Sequence, residues 1–215
     1  MSTIPALLTA NPPARETGHR GTDALAAELM RTRQTVLPKR LVAPGPDALE
    51  LEAILEAAAS APDHGQILPW RFVIVPAHGR EALAQVFVQA LLERDASATA
   101  EQQAQAHEKA HRSPLLMLVV VDAQRGDASV DWNERVLSAG CAVQNLLLMA
   151  TALGYGSALT SGKALKSEPL RRLFELQAAE QALCFISVGS VLSRKPARAR
   201  PAVADYVRIL GEPAP

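Results

Sequence analysis

The loop between Pro62 and Pro69 brings together residue types that could act on a bound ligand. Asp63 and His64 place a carboxylate beside an imidazole, the side chain whose ordinary pKa lies nearest to neutral pH. His64 could donate a proton or a hydrogen bond to a bound ligand. It could equally form only part of a pocket wall, and the local sequence leaves both roles open.

Two basic segments are the candidates for binding an anion. The first is Arg31-Thr32-Arg33-Gln34-Thr35, with Lys39-Arg40 shortly after it, and the second is the tail from Arg194 to Pro201, which contains Arg198 and Arg200. The planar guanidinium fork of arginine matches the oxygens of a phosphate group, and a threonine hydroxyl supplies a further donor. Taken singly, each segment is more typical of a solvated, charged surface. Two such segments in a neutral chain would be explained if they met on one phosphate.

The glycine-rich segment from Gly154 to Gly162 does not have the order of a dinucleotide-binding turn. In that turn the glycines follow a strand and open a helix, whereas here they follow a predicted helix. We therefore interpret Gly154 as the residue that ends the helix, and the residues after it as a strand of small side chains. Small side chains would allow a flat ring to lie close to the backbone.

The other histidines and the two cysteines give little indication of a further reactive site. His78, His107 and His111 fall in segments that we predict to be peripheral, so a zinc site is not expected. Cys141 and Cys184 lie far apart in apolar segments, which favours buried, reduced thiols over a disulfide.

Composition and charge argue against several classes of function. The chain has 215 residues, of which 48% are hydrophobic and 4% aromatic, enough for a substantial core. Lysine plus arginine and aspartate plus glutamate each number 22, so no overall positive field favours nucleic acid or an anionic membrane. The N-terminal residues lack the features of a secretory signal, and the longest apolar run is too short to span a bilayer. We therefore expect a cytoplasmic protein.

The elements that must position these residues follow from periodicity and turn signals. Helical spacing predicts helices over residues 47–60, 79–93, 97–111, 133–153 and 170–176, and apolar runs predict strands over residues 72–75, 115–121 and 183–188. Asp47 and Glu50 have the spacing of a capping box. The order of elements predicts one domain of the α+β or α/β class over residues 24–215, with residues 1–23 as a flexible extension.

Taken together, the motifs resemble those of the FMN-dependent nitroreductase family, in particular its small single-domain members with an A-P-D-H loop. The resemblance extends from Ala24 to Arg208, and the matching residues are Arg33-Gln34-Thr35, Ala61-Pro62-Asp63-His64, Pro69-Trp70-Arg71-Phe72, Ser138 to Leu146, Leu153-Gly154-Tyr155-Gly156 and Arg198-Ala199-Arg200-Pro201. It implies an α+β fold in which a central, mainly antiparallel sheet is flanked by helices. It also implies an intertwined homodimer with two FMN sites at the interface.

The resemblance assigns roles to individual residues. Around the FMN phosphate and ribityl chain it places Arg33, Gln34, Thr35, Arg198 and Arg200, and Ser60 stands where some relatives have a phosphate-binding arginine. Against the isoalloxazine ring it places Leu159, Thr160 and Ser161, with Lys39 at the pyrimidine edge. His64, the candidate catalytic residue, would reach the partner subunit's flavin across the interface, while Trp70 anchors the strand behind it.

The activity implied by the resemblance is that of an FMN-dependent NAD(P)H oxidoreductase. NADH or NADPH would reduce the flavin at N5 and leave, and a nitroaromatic, quinone or similar electron-poor acceptor would take its place. Two alternatives stay open. One is a protein of the same fold that binds or senses FMN with little turnover, and the other is a module that binds a phosphorylated metabolite through its basic segments alone.

Overall fold

The computed structural model describes residues 21–193, 196 and 199–211. The chain forms two compact units, Glu28–Arg194 and a smaller unit made of Met1–Ala27 and Lys195–Pro215. The described part of the smaller unit includes a one-turn 3-10 helix at Val203–Asp205, which is capped by a hydrogen bond of 2.8 Å from the Ala202 N–H to the Asp205 carboxylate. The boundary predicted between residues 23 and 24 stays a prediction.

The larger unit is built on a five-stranded sheet whose strand pairs are antiparallel. The strands are β1 (Leu41–Val42), β2 (Trp70–Ile74), β3 (Leu115–Asp122), β4 (Gly156–Thr160) and β5 (Glu180–Val191). Strand β5 pairs with β1, β3 and β4, and β2 pairs with β3. Phe185 of β5 lies between Leu118 of β3 and Thr160 of β4. The prediction of a mainly antiparallel central sheet is therefore confirmed.

Helices cover both faces of this sheet. The helices of the larger unit are α2 (Ala48–Ala59), α3 (Arg80–Leu92), α4 (Ala100–Glu108), α5 (Trp132–Ala152) and α6 (Glu168–Leu173), and they follow α1 (Thr22–Thr32), which has no buried residue. Met117 of β3 packs with Ile54 of α2 on one face, whereas Leu118 packs with Leu83 of α3 on the other, and all four side chains are fully buried. Each such burial stabilises the fold by about 1.5–3 kcal/mol. The two apolar faces of β3 confirm the predicted interior strand.

Two predicted helix ends are confirmed by their hydrogen bonds. Asp47 and Glu50 form a capping box, with the Glu50 N–H donating to Asp47 Oδ1 at 2.9 Å and the Asp47 N–H donating to Glu50 Oε2 at 3.0 Å. At the end of α5, Gly154 adopts φ 89°, and the Tyr155 N–H donates to the Ala150 carbonyl at 2.9 Å. That left-handed residue and that bond are the features of a Schellman motif.

Helix α5 is the only helix in the described part of the chain whose length and apolar composition could cross a membrane, and 44% of its apolar window is buried inside this chain. The buried side chains of α5 pack in the apolar clusters that also contain residues of α2, whereas Leu137 of α5 is 70% exposed. Burial of this kind is what a core helix of a globular domain shows. The cytoplasmic location stays a prediction.

Candidate functional site

A cavity of about 790 Å³ opens on the face of the sheet that carries α3. Its floor includes Leu116 and Phe185, which belong to the apolar core on that face. One wall is the end of β4 and the loop after it, and the opposite wall is built by α3 and α4. The volume lies in the range of small-molecule and cofactor sites, about 300–1,000 Å³.

The charged residues that line the cavity are all cationic. They are Lys39, Arg94, Lys109, Arg112 and Lys163, and no carboxylate stands among the described lining residues. The Arg112 guanidinium donates to the Glu108 carboxylate at 3.1 Å, so its charge is partly compensated. A cleft lined by one sign of charge raises the local concentration of ligands of the opposite sign. This cavity therefore favours an anionic ligand.

Strand β4 positions two of the segments that the sequence singled out. An isolated parallel bridge joins Thr35 to Ser157, and the Val36 N–H donates to the Ser157 carbonyl at 2.9 Å. Further along β4, Thr160 and the following Ser161 reach the cavity. The arginine segment before Thr35 and the small-residue segment therefore share one strand as their support.

The structure brings only some of the predicted cofactor residues to this cavity. Lys39, Thr160 and Ser161 line the same cavity. Arg33, Gln34 and Thr35 lie in the segment beside β4, and Leu159 of β4 is 45% exposed. Arg200 is an exposed residue of the smaller unit, and Arg198 lies outside the described residues.

The loop that carries His64 is fixed by its own hydrogen bonds. The Leu68 N–H donates to the Asp63 carboxylate at 2.7 Å, and His64 Nδ1 lies 2.6 Å from Glu134 Oε2 of α5. Hydrogen bonding to the Glu134 carboxylate, and then its negative charge, raise the pKa of His64 above its ordinary value. Gln66 and Leu68 adopt φ 50° and 47°, a left-handed conformation that costs free energy for residues other than glycine.

A buried arginine holds the neighbouring loop, which connects β3 to α5. Arg135 is 0% exposed and donates to the carbonyls of Asp122, Arg125, Asp127 and Val130 at 2.6–3.3 Å. In this loop Gly126 packs so closely on Ile67 that a Cβ at position 126 would lie 2.5 Å from Ile67 Cγ2. The β3–α5 loop therefore supports the loop that presents His64.

A second cavity, of about 530 Å³, lies at the outer surface of α5. It is lined by Ser60 and Pro62 from the end of α2, and by residues of α5 that include Gly140 and Cys141. Helices α2 and α5 cover the face of the sheet opposite to α3. One chain therefore does not bring Ser60 to the cavity that contains Lys39 and Thr160.

The family of this chain is shown by comparison with known proteins. Residues 31–190 match the family model described as the Nitroreductase family. The chain belongs to the nitroreductase family. A relative from Haemophilus influenzae, provisionally named an NAD(P)H nitroreductase, is 33% identical to this chain over 169 residues. The match covers 79% of this chain and 90% of the relative. Both names are those of oxidoreductases.

Solved structures show the same nitroreductase fold. A nitroreductase-like family protein from Bacillus cereus superposes with a TM-score of 0.72 at 17% identity, over 86% of this chain and 96% of that one. A nitroreductase with bound FMN from Desulfitobacterium hafniense gives a TM-score of 0.63 at 16% identity, over 86% and 97% of the two chains.

The sequence reasoning identified Trp70 of this nitroreductase-family chain as a core anchor, and the structure confirms it. Trp70 is 9% exposed and its Nε1–H donates to Ser138 Oγ at 3.1 Å. Cys141 and Cys184 are both free, and Cys184 is buried as predicted, whereas Cys141 on the outer surface of α5 is only half-buried. Glu134 and Arg135 were not anticipated, because their partners lie in loops that periodicity does not describe.

Proposed function

We propose that this protein is an FMN-dependent NAD(P)H oxidoreductase that passes electrons to nitroaromatics, quinones or similar electron-poor acceptors. The observation that carries the proposal is the convergence of Lys39, Thr160 and Ser161 on one cationic cavity, in a chain of the nitroreductase family. FMN bound in the Desulfitobacterium hafniense neighbour supports the same cofactor here.

The donors around the cavity fit a flavin mononucleotide. The hydroxyls of Thr160 and Ser161 can hydrogen-bond polar edges of the ring, and Gly162 has no atom within 4 Å of a Cβ built on it, which leaves room for a flat group. The Lys39 ammonium would stabilise negative charge at the pyrimidine edge, and Arg33 would bind the phosphate. When bound, FMN would supply the redox chemistry, hydride transfer from NADH or NADPH at N5 and then reduction of the acceptor, while these residues would hold and orient it.

We further infer that the outer surface of α5 is the interface of a homodimer. Leu137 is 70% exposed there, and the second cavity beside it joins Ser60 to Gly140. A partner subunit would cover this apolar surface. His64 would then face the partner's flavin, where it could donate a proton or a hydrogen bond to the acceptor or form the wall of the pocket.

Absorbance spectroscopy of the purified protein tests the cofactor, and steady-state kinetics test the activity. Flavin released by heat and compared with FMN and FAD standards should be FMN at one per subunit, and NAD(P)H should be consumed with a quinone acceptor. Bound FMN with negligible turnover would favour the binding or sensing protein. A colourless protein that added FMN cannot reconstitute would favour the phosphate-metabolite module.

A further inference from the structure

The junction between α3 and α4 carries a cluster of potential metal ligands outside the cavity. Glu81 belongs to the first turn of α3, His107 to the end of α4, and His111 to the 3-10 turn that follows. Glu81 Oε1 lies 3.0 Å from His107 Nε2, and Glu81 Oε2 lies 3.7 Å from His111 Nε2. We propose that these three side chains bind a zinc ion.

The distances within the cluster suit a tetrahedral ion. Zinc lies about 2.0–2.2 Å from imidazole nitrogen and carboxylate oxygen, so two ligand atoms of a tetrahedral site stand about 3.3 Å apart. The separations of 3.0 Å from Glu81 Oε1 to His107 Nε2 and 3.7 Å from Glu81 Oε2 to His111 Nε2 lie on either side of this value, and each involves a different oxygen of the carboxylate. All three ligand atoms lie within 4.8 Å of one another. Two imidazoles and one carboxylate leave the fourth position to water.

Neighbouring residues hold the three ligands in place before any ion binds. The Gln85 amide donates to Glu81 Oε1 at 2.8 Å and so orients the carboxylate. Arg80, which is 6% exposed, donates to the carbonyls of Val75, Ala110 and Pro114 at 2.7–3.0 Å. Because Ala110 stands between the two histidines in sequence, Arg80 fixes the backbone that carries them. Supporting hydrogen bonds of this kind are a regular feature of metal sites.

The sequence carries a signal for this cluster that the peripheral position of the histidines obscured. Residues 107–111 read His-Glu-Lys-Ala-His, the H-E-x-x-H spacing that places two histidines on one helical face. In zinc peptidases the glutamate of this motif acts as a general base. Here the Glu108 carboxylate accepts hydrogen bonds from Arg112 at 3.1 and 3.4 Å. The geometry therefore supports metal binding and gives no ground for a hydrolytic activity.

A zinc ion at this position would add a cross-link between α3 and α4, two helices that already pack against each other. Ala106 is the only buried residue of α4. Gln105 and Lys109, which are each two residues from a histidine and so lie on the other side of the helix, line the large cavity. Cross-linking α3 to α4 would therefore stiffen one wall of that cavity. The zinc site does not depend on the proposed redox function.

Isothermal titration of zinc chloride into the purified full-length protein, without a polyhistidine tag, tests the site. We expect one equivalent to bind, and His107→Ala and His111→Ala each to abolish that binding. Gln85→Leu should weaken the affinity about 10- to 100-fold, because the carboxylate loses its orienting donor. His78→Ala is the matched control, since His78 is exposed and lies outside the cluster.

Thermal unfolding with and without zinc gives a second readout. Zinc should raise the Tm of the unmodified chain and of His78→Ala, and leave the Tm of folded His107→Ala unchanged. Equal zinc binding by the unmodified chain and His107→Ala would overturn the proposal. Loss of zinc binding in His78→Ala alone would overturn it as well.

Discussion

His64 Nδ1 lies 2.6 Å from Glu134 Oε2 and joins the loop after α2 to the first turn of α5. The His64 side chain is 69% exposed and the Glu134 side chain 46% exposed, so the pair sits at the surface of a single chain. The Glu134 carboxylate orients the His64 imidazole through Nδ1 and leaves Nε2 available to a ligand. The pair thus holds the candidate catalytic group in a defined position before a ligand binds.

The protonated form of His64 should persist above the ordinary imidazole range. Its pKa is raised above 6.5 by the hydrogen bond and the charge of Glu134. A raised folded-state pKa adds stability that is present below pH 6.5 and is lost as the pH rises through the folded-state pKa. NMR titration of the imidazole should show the raised pKa in the native chain and a pKa closer to 6.5 in Glu134→Gln. An identical titration in both proteins would contradict the pairing.

Replacing His64 should affect turnover more than flavin binding. If His64 faces the partner's flavin, His64→Ala loses a proton or hydrogen-bond donor to the acceptor, and kcat falls while FMN stays bound. Stopped-flow measurement of the two half-reactions locates the effect, which we expect in the oxidation by the acceptor. His78→Ala is the control. Normal kinetics in His64→Ala would reduce the residue to a wall of the pocket.

Arg33 should contribute to FMN affinity. Removal of one charged hydrogen bond to a phosphate costs about 1.5–3 kcal/mol, which corresponds to a loss of about 10- to 150-fold in affinity. Fluorescence titration of apoprotein with FMN measures this for Arg33→Ala. Arg31→Ala is the matched control, because the exposed Arg31 guanidinium already donates to Glu28 at 2.8 Å. Equal FMN affinity in both variants would exclude Arg33 from the phosphate site.

The bidentate pair between Arg71 and Glu180 should make stability fall in acid. Arg71 donates to the two Glu180 oxygens at 2.7 and 2.9 Å, and this pairing lowers the pKa of Glu180 below 4.5. A lowered folded-state pKa adds stability that is present above pH 4.5 and is lost as the pH falls through the folded-state pKa of Glu180. Urea unfolding at pH 6 and at pH 3 should therefore show a smaller loss of stability in Glu180→Gln than in the unmodified chain.

Arg71→Ala provides a second test of the same pair. The Glu180 side chain is 8% exposed and that of Arg71 39%, so loss of the guanidinium leaves a buried carboxylate only partly compensated. After allowance for the exposure of Arg71, we expect a loss of about 1–3 kcal/mol in the free energy of unfolding. Arg31→Ala, which removes an exposed ion pair, should cost less than about 0.5 kcal/mol. Equal effects of the two substitutions would contradict the prediction.

Removing the hydroxyl of Ser157 should not destabilise the apoprotein. Ser157 is 2% exposed, and its Oγ has no hydrogen-bond partner among the described residues. A buried hydroxyl without a partner costs about 1–3 kcal/mol, so Ser157→Ala should leave the free energy of unfolding unchanged or raise it. Ser138→Ala is the contrasting control, because Ser138 Oγ accepts the Trp70 N–H and its loss should destabilise. Destabilisation by Ser157→Ala would reveal a partner for that hydroxyl.

Local sequence determined much of the secondary structure. The capping box at Asp47, the left-handed Gly154 and the continuous apolar run of β3 each depend on residues close together in the chain, so periodicity and propensity predicted them. Strand β5 was predicted too short, at residues 183–188 against Glu180–Val191. Its polar first residue enters the strand because Glu180 is paired with Arg71 of β2.

Tertiary structure decided which residues share a site. The motifs placed Lys39, Ser60 and Thr160 in one FMN site, yet a single chain puts Lys39 and Thr160 on one face of the sheet and Ser60 beside α5 on the other. Packing of α3 against α4 likewise brings Glu81 next to His107, which lies 26 residues further along the sequence. Contacts of this length depend on packing between distant elements, and local propensity carries no information about them. The sequence alone therefore predicted the family and most of the elements, although not α1 or the two-residue strand β1, and only the packed fold showed which side chains meet.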